Sequence, residues 1–221
     1  MPTGSRIALL STDHQHRHIY FHAQHEPEVT ALFERLVNRS AVVFDVGANV
    51  GYFSLLARDL GASVHSFEPN PFVRALLERS ARLDDERLTI LPYAVSDTLG
   101  TVPLYLSDLR NTGMTSLVRQ SAESVIVPLV TLDEYVTSSG VIPELVKIDV
   151  EGHEGAVLRG AEVLLCEYRP TLVVETTQKT TVDWLSERGY MPQTIRRDGT
   201  LDPFAQLAGD GWENLCFTKL A

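Results

Sequence analysis

Five nearly continuous apolar runs, each closed by turn residues and separated by segments of helical periodicity, constrain the fold of this chain more than any other feature. The runs are Ala41–Val46, Ala62–Phe67, Leu88–Val95, Glu144–Val150 and Thr171–Glu175. Strands that are apolar on both faces belong to parallel sheets covered by helices, and the intervening segments supply those helices. Amphipathic spacing predicts them over Val50–Leu60, Pro71–Leu83, Glu154–Leu165 and Thr180–Gly189. The pattern reads as an α/β, doubly wound, mostly parallel sheet.

Two stretches depart from the alternation. Thr101–Ser107 and Ser124–Val130 read as extra strands flanking the polar segment Asp108–Ser121, which contains Asn111-Thr112-Gly113-Met114-Thr115-Ser116. After Gly189 the chain reads as a strand (Tyr190–Arg196), a turn at Asp198-Gly199 and a last strand near Trp212–Lys219, which predicts a C-terminal antiparallel hairpin at the sheet edge. No repeat or linker divides the chain, so one domain is expected over 27–221, preceded by a His-rich segment or lid over 1–26. Five of the seven histidines fall in that segment. His14, His18, His22 and His25 are spaced to share a helix face; the pattern reads as a solvated or substrate-facing cap, with a metal site as the alternative.

Composition narrows the partners. Nineteen Lys and Arg stand against 29 Asp and Glu, a formal net charge of −10, and Arg196-Arg197 is the nearest approach to a basic patch. Such a chain is repelled by phosphate backbones and anionic lipid, so neither nucleic acid nor membrane is expected as a partner. Cys166 and Cys216 lie far apart with no CxxC pairing, and the N-terminal apolar run is too short for a signal or a membrane span. The expectation is a cytoplasmic protein. Two-fold association through a sheet edge or the N-terminal segment stays open.

The first core strand runs into Asp45-Val46-Gly47-Ala48-Asn49-Val50-Gly51-Tyr52 before a helix begins. Glycines at a strand-to-helix turn let the backbone approach a ligand, and the helix N-terminus offers free N–H groups. Glu68 ends the second strand 23 residues after Asp45, where a carboxylate can accept from both ribose hydroxyls of a nucleoside. A dinucleotide turn needs Gly-x-Gly-x-x-Gly, but Asn49 and Tyr52 stand at two of those glycine positions. The Asp45 carboxylate would repel a pyrophosphate and suits the cationic amino-acid end of S-adenosylmethionine (SAM).

These residues carry a resemblance. Phe44-Asp45-Val46-Gly47-Ala48-Asn49-Val50-Gly51, Phe67-Glu68-Pro69, Ala94-Val95-Ser96-Asp97, Thr131-Leu132-Asp133 and Lys147-Ile148-Asp149-Val150-Glu151-Gly152-His153-Glu154 occur in the order in which the FkbM family of SAM-dependent methyltransferases carries such motifs. Over residues 40–175 the chain resembles that family, within the class I methyltransferase superfamily. The resemblance implies a Rossmann-like fold, with Asp45, Gly47, Ala48, Asn49 and Gly51 around the methionine portion. It also implies Glu68 and Pro69 at the ribose, and Ser96 and Asp97 at the adenine amino group, where an acidic acceptor suits an N–H donor. Ser96-Asp97 reads equally as a cap or turn. Asn111–Ser116 resembles the family's Gly/Ser-rich stretch and is expected over the pocket, with Tyr20, His16 and His18 closing the other side.

Lys147, Asp149, Glu151 and His153 fall at the C-terminal end of the fourth core strand, where open α/β sheets place their chemistry. Lys147, Asp149 and Glu151 share one side of the strand, an unfavourable cluster unless the charges pair or bind something. The plainer alternative is that Lys147 neutralises Asp149 while Glu151 and His153 cap the next helix. If an alcohol is the acceptor, it must lose a proton, either to a base such as His153 or Asp149 or with help from Mg²⁺ held by Asp149 and Glu175. The family's members imply a small hydroxylated acceptor, such as a secondary metabolite, sugar or glycoside. N- or carboxyl-methylation on the same fold, NAD chemistry, and a non-catalytic nucleoside-binding role are the rival readings.

Overall fold

A computed structural model describes residues 1, 3–81, 86–106, 117, 123–206 and 213–219. After two helices, α1 (His14–His22) and α2 (Pro27–Leu36), the chain alternates as β1 (Val42–Val46), α3 (Tyr52–Asp59), β2 (Ser63–Phe67), α4 (Pro71–Ser80) and β3 (Leu88–Leu91). Then come β4 (Ala94–Val95), β5 (Gly100–Tyr105), β6 (Ser124–Val130), α5 (Leu132–Ser139), β7 (Leu145–Ile148) and α6 (Glu154–Arg159). A π-helical turn (Leu164–Tyr168) leads to β8 (Thr171–Thr176), α7 (Lys179–Glu187), β9 (Tyr190–Ile195), β10 (Leu201–Pro203) and β11 (Glu213–Lys219).

The main sheet has the order β10-β9-β11-β8-β7-β1-β2-β3. Strands β3, β2, β1, β7 and β8 pair in parallel, whereas β11 is antiparallel to both neighbours. The order reverses beside β1, which has β2 on one side and β7 on the other; crevices for ligands open at such switch points, at the carboxyl ends of the strands. The α/β, mostly parallel sheet expected from the alternation and the Rossmann-like fold implied by the resemblance are the observed architecture.

Side-chain alternation divides the core. Phe44, Val46, Phe67, Val146, Ile148 and Val174 pack on one face with Leu158, Leu165 and Leu185. Val43, Val64, Leu145 and Val173 pack on the other with Val29, Phe33, Phe53 and Leu56 of the helices before and after β1. Asp45, Lys147 and Glu175 share the parity of this second set, so the pleat gathers them on the face that α2 and α3 cover. Asp45 lies in register with Lys147, and Lys147 with Val173.

Several boundaries differ from the sequence reading for local reasons. The run 88–95 is two strands in two sheets: Pro92 has no N–H for a ladder, and β4 leaves to join β6 and β5 in a small second sheet. Strand β7 stops at Ile148, so Asp149 and Val150 belong to the loop above it. The helix expected over 154–165 ends at Arg159 and is followed by the π-helical turn, whose first amides, Val163 and Leu164 N–H, donate to the Asp133 carboxylate at 2.9 and 2.8 Å. The turn at Asp198-Gly199 joins β9 to β10, and the last strand enters between β9 and β8. Helix α5 was not anticipated; Thr131 caps it by accepting from the Glu134 N–H at 3.0 Å. The segment Asn111–Ser116, the start of the last strand at Trp212 and the end of the helix expected over 71–83 lie outside the described residues.

Candidate active site

One cavity opens at the carboxyl ends of β1, β2, β7 and β8, beneath α1 and the chain leading into α2. Its floor is the turn after β1. Gly47 has φ +85°, and a Cβ there would lie 1.9 Å from the Asp149 carbonyl oxygen, so only glycine lets the β1 and β7 loops touch. The Gly47 and Ala48 N–H groups donate to the Phe67 carbonyl at 3.0 and 3.1 Å, which ties the turn to the end of β2.

Glu68 completes that corner. Its Oε2 accepts from the Asn49 N–H at 2.7 Å and its Oε1 from the Asn70 N–H at 2.8 Å. A carboxylate offers about four lone pairs, so two remain for ligand hydroxyls. Burial pushes its pKa up to about 7 despite those two amides. Asn49 Oδ1 is buried there, its side chain facing that of His16. Asp45 is fully buried and accepts from Ser54 Oγ, which in turn accepts from Ser66 Oγ at 2.7 Å; burial raises its carboxyl above the usual range.

Across β1, Lys147 Nζ donates to Asp149 Oδ2 at 2.7 Å and stands 4.8 Å from the centre of the Phe53 ring. Burial works to raise the Asp149 carboxyl, but the Lys147 ammonium and a hydrogen bond from Glu175 outweigh it and hold it below the ordinary carboxylate range. Glu175 is pushed up to about 9 by burial and by the neighbouring Asp149 charge, so it keeps its proton at neutral pH and donates it to Asp149. Carboxylate oxygens of Asp149, Glu151 and Glu175 fall within 4.8 Å of one another, close enough to share an ion or, as Glu175 and Asp149 do here, a proton.

His153 lines the cavity at the start of α6, its Nε2 2.9 Å from Ser96 Oγ. Ser96 Oγ donates to Asp97 Oδ1 at 3.3 Å, and Arg159 fixes Asp97 Oδ2 through Nε at 3.0 Å and Nη2 at 2.8 Å. With its proton directed to Asp97, the Ser96 oxygen accepts from His153 Nε2–H, and the network assigns Nδ1 as the unprotonated nitrogen. Burial lowers the His153 pKa, so the ring is neutral at neutral pH.

The structure thus brings Asp45, Gly47, Ala48, Asn49, Glu68, Pro69, Lys147, Asp149, Glu151, His153 and Glu175 to one cavity wall. Gly51 lies one layer back, as the left-handed N-cap of α3. Ser96 and Asp97 are not in the lining; Asp97 is turned to Arg159, and Tyr93, Ala94 and Val95 form the wall where an adenine contact was expected. The N-terminal segment contributes differently from the expectation. Among His16, His18 and Tyr20, only His16 lines the cavity, whereas His18 and Tyr20 face outward and Tyr20 is 74% exposed. His25 lies beyond the end of α1 and so leaves the row of His14, His18 and His22.

His25, expected in the N-terminal cap, lines the cavity, and so does its neighbour Glu26, an ionisable residue that the sequence did not single out. Burial lowers the His25 pKa to about 4, and burial raises that of Glu26 to about 7. Of the five non-glycine residues with left-handed backbone among those described, three, Glu26, Asn49 and Glu151, line this cavity. Each such residue costs about 1–3 kcal/mol, a burden that concentrates at functional sites.

Comparison with known proteins bears on the family and the fold. Residues 45–196 match the family model described as the methyltransferase FkbM domain. The chain is 34% identical over 140 residues to hexuronic acid methyltransferase AglP of Haloferax volcanii, covering 61% of this chain and 56% of that protein. It is 32% identical over 163 residues to 31-O-demethyl-FK506 methyltransferase FkbM of Streptomyces tacrolimicus, covering 55% and 59%. The chain therefore spans less than two thirds of the curated relatives it matches. Among solved structures, methyltransferase FkbM from Methylobacillus flagellatus KT superposes with a TM-score of 0.58 at 17% identity, over 90% of this chain and 49% of the other. Precorrin-6y C5,15-methyltransferase from Geobacter metallireducens GS-15 gives 0.51 at 14%, over 88% and 87%. At these identities the likeness is one of fold.

Proposed function

Because the chain belongs to the FkbM methyltransferase domain family, we propose that it is a SAM-dependent O-methyltransferase acting on a hydroxyl of a small molecule, of the secondary-metabolite or sugar class. The observation that carries this reading is the convergence, at the switch point beside β1, of the Gly47 turn, the two open acceptor positions of Glu68 and a neutral His153. The close backbone approach at Gly47 fits a nucleoside ligand laid across the turn.

SAM supplies a sulfonium methyl group to an attacking oxygen, and the acceptor hydroxyl gives up its proton as it attacks. His153 Nδ1 takes that proton, with Ser96, Asp97 and Arg159 holding the ring in the required tautomer. Asp149 is a weaker base, because Lys147 and Glu175 both stabilise its charge; its part is to orient the acceptor hydroxyl. The competing means of activation is a divalent cation between Asp149, Glu151 and Glu175. Turnover abolished by EDTA and restored by Mg²⁺ would favour the cation over His153.

The two cysteines of the chain are free, Cys166 exposed and Cys216 buried, which suits a reducing compartment such as the cytoplasm. No helix of the described residues is long and apolar enough to cross a membrane. The decisive experiment is a calorimetric titration with S-adenosylhomocysteine (SAH) beside NAD. Micromolar binding of SAH with no heat from NAD is expected; the reverse pattern, or silence from both, would overturn the reading.

A further inference from the structure

We propose that Glu26 is a further cofactor-binding residue, whose carboxylate, delivered by the chain ahead of α2, meets the cationic amino-acid end of the nucleoside cofactor. The proposal rests on the methyltransferase reading above and extends it to a residue outside every motif in the sequence. The cavity spans the sheet from Glu68 at the end of β2, across β1, to Asp149 and Glu175 above β7 and β8, and Glu26 lines it as well. A ligand fastened by its ribose at Glu68 and crossing the Gly47 turn reaches the far side of β1 with its other end.

That far side gathers carboxyl groups around a single cation. Glu26, Asp45, Asp149 and Glu175 surround one ammonium, Lys147, which is already bonded to Asp149. Lys147 and Asp149 satisfy each other, which leaves the Glu26 carboxyl in the lining as a group that an entering ammonium can meet. Burial is what chiefly raises the Glu26 carboxyl, with the Asp149, Glu28 and Asp45 charges adding to it and Lys147 opposing; a cation beside it favours the ionised form.

The ordinary structural role for this residue is missing. Glu26 occupies the N-cap position of α2, yet its side chain makes no capping hydrogen bond. Its backbone has φ 40°, a conformation that glutamate adopts only where the surroundings impose it. The carboxyl is instead aimed by groups from two directions. Asn214 Nδ2 on β11 donates to Oε2 at 3.3 Å, and His25 Nε2 stands 3.3 Å from Oε1.

The test compares SAH with 5′-methylthioadenosine, which has the same adenosine and lacks the amino-acid end, by calorimetry on the full chain. Glu26→Gln is expected to weaken SAH about tenfold, the effect of losing one charge-assisted bond, and to leave 5′-methylthioadenosine within about twofold. Glu28→Gln removes a nearby charge outside the cavity lining and is expected to move neither ligand. Should Glu26→Gln not fold, as judged by its thermal transition, Glu26→Asp carries the same comparison with shortened reach. Equal loss of both ligands, or no loss of SAH, would overturn the proposal. Failure of the unaltered protein to bind SAH would instead overturn the methyltransferase reading on which it rests.

Discussion

His153→Gln is expected to lower turnover by roughly 10²- to 10⁴-fold, the range for losing a positioned general base, while SAH affinity stays within about twofold because the ring holds no part of the cofactor. The sign of the pH dependence follows from the neutral ring. A protonated His153 cannot accept a proton, so turnover falls as pH drops through its pKa, which burial sets below the ordinary value of 6.5. That acid limb should vanish in the variant. Ser96→Ala offers a check on the positioning role: it removes the group that fixes the tautomer, and should lower kcat without raising KM in proportion. Turnover in His153→Gln equal to that of the unaltered protein would transfer the role to Asp149 or to a metal.

Glu68→Ala is expected to weaken SAH by about 2–4 kcal/mol, from two charge-assisted hydrogen bonds to ribose hydroxyls, or roughly 30- to 700-fold. The same residue carries a pH signature. Burial pushes its carboxyl up to about 7, and ribose hydroxyls donate to the ionised form, so SAH binding should weaken as pH falls through that value. Glu68→Gln keeps the shape but removes this residue's share of the pH dependence. Unchanged SAH affinity in Glu68→Ala would exclude the ribose assignment.

How much was legible in the sequence depended on whether a residue's neighbours in space were also its neighbours in the chain. Asp45, Gly47 and Glu68 could be read because a strand end, a turn glycine and a following Pro69 mark them locally. Lys147 and Asp149 could be paired on paper because strand alternation puts them on one side, and the structure joins them at 2.7 Å. The Asp97 carboxylate could not be placed, because its partner Arg159 lies 62 residues away. Glu26 left no signal at all: it precedes Pro27 in a stretch without periodicity, and only the packing of α2 against α3 brings it to the cavity. The strand 88–95 was overextended because apolar content outweighed Pro92, a residue that cannot donate to a ladder.

Strand β11 is the last described strand and is bonded along both edges, to β8 and to β9. A nascent chain that has emerged through residue 203 therefore holds all the motif residues, yet β8 and β9 still lack the strand that fills the gap between them. Open edges of that kind invite pairing with another molecule. Completion of the sheet waits on residues 213–219, which lie beyond the matched stretch 45–196.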